Sequence, residues 1–499
     1  MITSLKTPEQ AADWLRTRVS GSLWTDSRKV GLGDGFIAWP GAATDGRSFV
    51  GDVLAAGAGA CLVEEEGSQG YGFSDARVAA FAGLKAAAAP IAAAYFDEPS
   101  KQLDVIAVTG TNGKTSTAWW LAQALGKLGR RCGIVGTLGI GEPDALVFNG
   151  LTTPDPVLLQ QQLRRFVDQG YVACALEASS IGITEQRLDA NCIRVAMFTN
   201  FTQDHLDYHG SMQAYWLAKE KLFTWPGLQA AVLNVDDGKG AELDALLQAS
   251  GLDIWTVSIG GRARIRAENI EQTTQGVVFN VVEGADRQRI STSMVGLYNV
   301  SNMLGVVAAM RALGVGLPEA ASACEGLLPV PGRLETLHIV GLPLVAIDYA
   351  HTPDALEKVL IALKPLAQSR AGRLWCVFGC GGGRDATKRP LMAAVAQKHA
   401  DQIVVTSDNP RNESASAIIS QILLGLTHSD SVSVEADRAL AITQTLARAQ
   451  PGDVVLLAGK GHESYQEIRG VKHPFSDRTH AETALGAALA ARLSAGGVS

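Results

Sequence analysis

Residues 108–117 read V-T-G-T-N-G-K-T-S-T, directly after the apolar stretch 103–108 and before the apolar stretch 118–128. The first stretch predicts a strand and the second a helix, so the loop lies where a nucleotide triphosphate is commonly held. Gly110 and Gly113 let backbone N–H groups close around phosphate oxygens, with Thr111, Asn112 and Ser116 completing the cradle. Lys114 would reach the terminal phosphates, and the Thr115 hydroxyl would sit on a magnesium ion. The spacing departs from G-x-x-x-x-G-K-[ST], because Val108 stands where the first glycine would be. Two further groups suit phosphoryl chemistry. Glu177 closes the apolar run in C-A-L-E-A-S-S, and residues 199–210 pack Asp204, His205, Asp207 and His209 into six positions. Of these, His205 is the strongest candidate for a functional role. In Y-W-L-A-K-E-K-L-F (215–223), Lys219 and Lys221 read as solvated charges on an amphipathic helix.

The elements that must position these groups follow from composition and rhythm. The chain has 499 residues, 19% of them charged and 47% from the set AVILMFWYC, which predicts about three globular domains with ample cores. A formal net charge of −7 argues against nucleic acid as a partner. The opening residues show no signal-peptide pattern, and the alanine-rich stretch 84–96 is too short to span a bilayer. Seven cysteines, an odd number, suit reduced thiols in a cytoplasm, and Cys376 and Cys380 lack zinc-ligand partners nearby. Turn-rich seams at D-E-P-S (97–100) and L-P-V-P-G-R (328–333) predict domains at 1–99, 100–331 and 332–499. Between the seams, short apolar runs at 132–135, 172–176, 195–199 and 230–233 alternate with helices, predicting a mainly parallel sheet. Beyond the second seam, 344–347, 374–378, 402–406 and 454–458 repeat that rhythm as a Rossmann-like α/β domain, whose sites should follow the strand ends.

Taken in order, the motifs resemble one family. They are D-S-R (26–28), T-G-T-N-G-K-T, T-T-P (152–154), E-A-S-S, D-H-L-D-Y-H, A-K (218–219), N-V-S-N (299–302), G-R-L-E (332–335), D-Y-A-H-T-P-D (348–354), G-G-G-R-D (381–385), D-N-P-R (408–411) and G-K-G-H-E (459–463). The chain is similar to the Mur ligases, and within them to the branch that adds meso-diaminopimelate to UDP-N-acetylmuramoyl-L-alanyl-D-glutamate. The resemblance implies three α/β domains, binding the UDP precursor, ATP and the amino acid in turn, in a cytoplasmic monomer that makes peptidoglycan precursor. It also implies one magnesium held by Thr115 and Glu177, and a second held by His205 and the carbamate formed on Lys219 (N6-carboxylysine). By the same resemblance, Asn299 and Asn302 contact adenine, while Arg333, Asp348 and His351 contact ATP. Ser27, Arg28, Thr152, Thr153, Ser179 and Arg187 contact the UDP precursor. Arg384, Asp408, Asn409, Pro410, Arg411, Gly459 and Glu463 contact diaminopimelate. One departure is Ile181, where many relatives carry histidine.

Chemistry explains the residue types. A carboxylate and an amine do not condense in water, so ATP first converts the acid to an acyl phosphate. Cations must then offset the repulsion between the two anions. Diaminopimelate differs from lysine by a distal carboxylate, which the planar fork of Arg411 suits; such sites reject the lacking analogue by roughly 10⁴-fold. D-N-P-R, T-T-P-D and D-S-R also read as ordinary turns, with Arg411 solvated. Rival functions are a sister ligase taking L-lysine or D-alanyl-D-alanine, a folate polyglutamating enzyme, and an ATP-driven switch protein.

Overall fold

The computed structural model describes residues 2–41, 44–273, 276–427 and 430–496. Its strands form three helix-flanked sheets and one hairpin. The first sheet is entirely parallel, in the spatial order Thr3–Leu5, Val78–Phe81, Ala60–Glu64, Gly35–Ala38, Leu23–Trp24. Its strands are apolar on both faces, and one face packs on Leu15, Leu84 and Ile91 while the other packs on Val50 and Val53.

The middle sheet has ten strands. Six parallel pairings run from Ile265–Thr273 through Asp253–Ser258, Ala230–Asn234, Val195–Phe198, Asp104–Thr109 and Ala173–Glu177 to Cys132–Gly136. The parallel expectation holds for this centre. At one edge the sheet continues as an antiparallel meander, Gly276–Glu283 and Asp286–Thr292, and at the other Gly139–Gly141 adds one antiparallel strand. The meander departs from the expected helix–strand alternation because Gly284, at φ +59°, turns the chain straight back.

Register places the chemistry. Val108 is opposite Glu177 and Thr109 opposite Phe198, so the phosphate loop, Glu177 and Thr199 leave three adjacent strands at one edge. Val108 itself is wholly buried in its strand, so the loop proper begins at Gly110. The helix predicted from 118 starts at Lys114, because Gly113 at φ +87° caps it. The N–H groups of Gly113 and of residues 114–116 in its first turn therefore have no helical partner, while Thr117 N donates to Gly113 O (2.9 Å).

In the last sheet, Glu335–Leu337 is antiparallel to Leu344–Asp348. Val454–Ala458, Leu374–Phe378, Gln402–Val405 and Val432–Val434 then continue in parallel. Asp348, Phe378 and Val405 share one edge with Ala458, so G-G-G-R-D, D-N-P-R and G-K-G-H-E emerge side by side. Among the described residues no helix is long and apolar enough to cross a membrane.

Candidate active site

A cavity of about 530 Å³ lies between the phosphate-loop edge and the loops after Arg333 and Asp348. That size is ordinary for a small-ligand site. At its floor Gly110, at φ +142°, would collide with Thr199 Oγ1 if it carried a Cβ, and Gly113 with Asn302 Oδ1. Both glycines are therefore required by close approach as well as by backbone angle. Lys114 Nζ donates to Gly110 O (2.9 Å) and Thr111 O (2.8 Å). Burial lowers its pKa, and Glu177 and Asp204 oppose that shift.

Glu177 is a buried hub. Its Oε2 accepts from Thr115 Oγ1 (3.0 Å) and Thr137 Oγ1 (3.1 Å), and its Oε1 from Thr137 N (2.9 Å). Hydroxyl and carboxylate oxygens side by side are donors suited to a hard cation. Magnesium takes one or two protein oxygens and completes its shell with phosphate and water, so the set fits that ion. His205, at φ +53°, is held by Asp204 Oδ1, which accepts its N–H (2.9 Å). Burial pushes the imidazole pKa down to about 4, leaving a neutral ring.

Lys219 overturns the solvated reading of its helix. It belongs to Met212–Glu220, is 1% exposed, and leaves Leu217 on the surface instead. Its Nζ donates to Gly110 O (2.8 Å) and lies over the Tyr215 ring (4.5 Å), with no carboxylate within ion-pair distance among the described residues. Burial drives its pKa well below the ordinary lysine value, and the nearby Lys114 charge adds to the shift. A neutral buried amine is the form that can add CO2.

Thr152, Thr153, Ser179 and Arg187 come together beside Glu177. Thr137 and Thr152 hydroxyls are 3.0 Å apart, and Arg187 Nη1 donates to Thr153 O (2.9 Å). Thr153 Oγ1 donates to Glu177 O (2.7 Å), accepts from Ser179 N, and pairs with Ser179 Oγ. Thr153 is thus a buried tie between the two motifs, while Thr152 and Ser179 line the cavity. Ser27 and Arg28 do not line it. They form a short turn capped by Asp26, with Arg28 exposed and bonded to Asp26. The Thr25 hydroxyl reaches Asp155, which brings that turn beside T-T-P-D.

Several bonds cross from the last sheet. Arg333 Nη2 donates to Thr115 Oγ1 (3.1 Å), and its guanidinium lies over the Tyr349 ring (4.5 Å). His351 Nε2 stands 3.7 Å from Asp204 Oδ2, and Asn112 Nδ2 donates to Asp354 Oδ2 (3.1 Å). Asn112 therefore turns its side chain across the cleft instead of into the phosphate cradle. Asp348 accepts from Leu334 N (2.6 Å), and burial pushes its pKa up to about 6. Asn299 Nδ2 donates to Val295 O (2.8 Å) at the cavity's far end.

The candidate amino-acid residues form a second cluster outside this cavity. Gly381 sits between Arg411 Nη1 and the Arg384 chain. Arg411 is not solvated: its Nη1 donates to Gly382 O (2.8 Å) and Glu467 lies 3.5 Å from Nε. Glu467 also means that its charge is partly matched within the protein. Arg384 is more open and faces Asp207 at 3.9 Å. Asn409 Nδ2 donates to Glu463 Oε2 (2.7 Å), and Asp408 Oδ1 accepts from Asn409 N (2.6 Å). A Cβ on Gly459 would meet Asp408 Oδ2 at 2.6 Å, so the two loops touch through that glycine. Pro410 opens a turn closed by Glu413 N on its carbonyl (2.9 Å), and that carbonyl packs against Gly382.

The family profile described as Mur ligase middle domain matches residues 108–310, and that of the Mur ligase, glutamate ligase domain matches 332–461. A protein of Acidovorax sp. (strain JS42), named UDP-N-acetylmuramoyl-L-alanyl-D-glutamate–2,6-diaminopimelate ligase, is 59% identical over 97% of this chain and 98% of its own. The chain belongs to the Mur ligase family. A Pseudomonas aeruginosa protein of the same name is 47% identical over 93% of this chain and 95% of its own. A solved structure bearing that name superposes with TM-score 0.64 at 34% identity, covering 93% and 94% of the two chains. A Thermotoga maritima MurF ligase in complex with ADP shares the fold, with TM-score 0.65 at 18% identity over 89% and 94%.

Sequence reasoning missed three groups in this Mur ligase. Thr137 grips Glu177 from the strand Cys132–Gly136, and a polar residue just past a strand's carboxyl end was the available signal. Asp204 is the buried partner of both His205 and His351, although its motif drew attention to the histidine. Asn200 Oδ1 accepts from Asn112 N (2.9 Å), a long-range tie with no local signature.

Proposed function

We propose that this Mur ligase joins meso-diaminopimelate to the D-glutamate of UDP-N-acetylmuramoyl-L-alanyl-D-glutamate, using ATP and magnesium, in the cytoplasm and as a monomer. Residues 1–99 take the UDP precursor, 100–331 ATP and 332–499 the amino acid. The substrates are those in the names of the relatives above. The observation that carries the reading is the convergence of Lys114, Thr115, Glu177 and Arg333 on one cavity walled by both later sheets.

In the first step a glutamate carboxylate oxygen attacks the γ-phosphorus, and the bond to ADP breaks. Lys114, Arg333 and the N–H groups of residues 113–116 hold the phosphates and offset the approach of two anions. Thr115 and Glu177 would hold one magnesium ion, and His205 with carboxylated Lys219 a second; when bound, these ions would supply further positive charge there. The amine lone pair then attacks the acyl carbon. A tetrahedral adduct forms, phosphate leaves with the C–O bonding pair, and the nitrogen gives up one proton, keeping the other in the amide. Asn299, Asn302, Asp348 and His351 orient the nucleotide. Ser27, Arg28, Thr152, Ser179 and Arg187 hold the precursor, with Thr153 tying the motif that carries them.

The test uses precursor labelled with ¹⁸O in the glutamate carboxylate. One labelled oxygen should appear in released phosphate, and turnover should require diaminopimelate out of a panel of single amino acids. Unlabelled phosphate would remove the acyl phosphate. Phosphate release independent of acceptor and amino acid would point to a switch protein.

A further inference from the structure

The loops that follow Gln402–Val405 and Val454–Ala458 meet over one buried amine. Lys460 is 0% exposed, and its Nζ donates to Asn409 Oδ1 (3.1 Å) and Glu463 Oε2 (2.9 Å). Asn409 Oδ1 also accepts from Glu467 N (2.9 Å), while Asn409 Nδ2 donates to the same Glu463 oxygen. The Tyr465 and Phe475 rings flank the ammonium at 5.8 and 5.9 Å. Glu463 is its sole carboxylate partner among the described residues.

This arrangement differs from the buried pair next to it. Arg438 Nε and Nη2 each donate to a different oxygen of Asp477, both at 2.7 Å, so that carboxylate is fully used. Glu463 gives only Oε2 to Lys460 and Asn409, and Oε1 accepts no hydrogen bond from a described residue. One oxygen held and one free leaves a fixed carboxylate with an acceptor that a substrate ammonium can use.

We infer that Lys460 is a positioning residue for the incoming amino acid: it holds Glu463 fixed through Oε2, leaving Oε1 to receive the substrate's ammonium. Lys460 touches no substrate itself. The inference rests on the proposed assignment of Asn409 and Glu463 to diaminopimelate.

The test measures initial rates of the full-length enzyme, with ATP and precursor saturating and diaminopimelate varied. Lys460→Met should raise KM for diaminopimelate at least tenfold and leave KM for ATP within twofold. Glu463→Gln should raise the same KM. In the double variant, Lys460→Met should add less than twofold to the effect of Glu463→Gln, since the lysine acts through that carboxylate. A folded Lys460→Met enzyme with KM within twofold of the parent overturns the inference, as does an equal rise in KM for ATP. If the single variant fails to fold, the double variant leaves neither charge stranded and decides by the same comparison. A further fivefold rise there overturns the inference. If Glu463→Gln alone leaves KM unchanged, the assignment of Glu463 fails and the inference falls with it.

Discussion

The phosphate cradle and the amino-acid cluster both place cations beside their loops, but they handle them in opposite ways. In the cradle, Lys114 and Arg333 bond to carbonyls and a hydroxyl, with no carboxylate within ion-pair distance among the described residues. In the last sheet, Arg389 pairs with Glu413, Arg438 with Asp477 and Lys460 with Glu463. Arg438 also donates to Ser407 O (3.2 Å) and Ala458 O (3.0 Å), and Arg389 to Gly381 O (3.1 Å). These are the backbone carbonyls at or just before the three loops. Uncompensated positive charge is suited to receiving anions from outside. Charge neutralised internally is suited to holding loops in place. The first region is built to bind and the second to aim.

The largest expected effect tests the aiming half. Arg438→Met strands Asp477, and should cost about 3–5 kcal/mol in the unfolding of the last domain, measured by urea titration. Replacing both partners by apolar residues should restore much of that. A loss under 1 kcal/mol would show that the pair does not brace the loops.

Next comes the binding half. Lys114→Ala should lower kcat by roughly 10²–10³-fold, with KM for diaminopimelate and the urea midpoint unchanged. A large shift in the midpoint would make Lys114 structural and erase the contrast.

Asp348 lies between the two halves, and its pH dependence has a defined sign. Burial raises its pKa from 3.8 to about 6, against the pull of Arg333 and the backbone N–H groups of Leu334 and Ala350. Between those values the folded state keeps a proton that the unfolded chain has released, so stability falls as pH rises through that window. The loss is roughly 2–3 kcal/mol. Urea unfolding at pH 4 and pH 7 measures it, and Asp348→Asn should flatten the difference. An unchanged slope in that variant would assign the effect elsewhere.

The smallest effect is the most selective. Arg411→Ala should raise KM for diaminopimelate by about 10–100-fold, the loss of one or two charged hydrogen bonds, while leaving KM for ATP alone. Equal loss for lysine and diaminopimelate would mean that Arg411 holds Gly382 and does not read a carboxylate.

Local pattern was enough for much of this molecule. Strand 374–378 and strand 454–458 begin and end where their apolar runs do, since strands buried on both faces need unbroken apolar sequence. G-K-T after a strand marked the cradle because glycine angles and a helix start are local requirements. Lys219 shows the limit. Lysines stand at 219, in its helix, and at 221, just past the helix end, and composition alone makes both solvated. Only packing against Tyr215 and the Gly110 carbonyl decides which one is buried.

The amino-acid sequence by itself determined the strand rhythm, the glycine turns and the order of the motifs, because each depends on residues a few positions apart. Tertiary structure alone decided that Thr153 ties two motifs, that Asn112 crosses to Asp354, and which cations are matched and which left bare. Those outcomes depend on pairings between residues tens to hundreds of positions apart, where burial sets the strength of every charge.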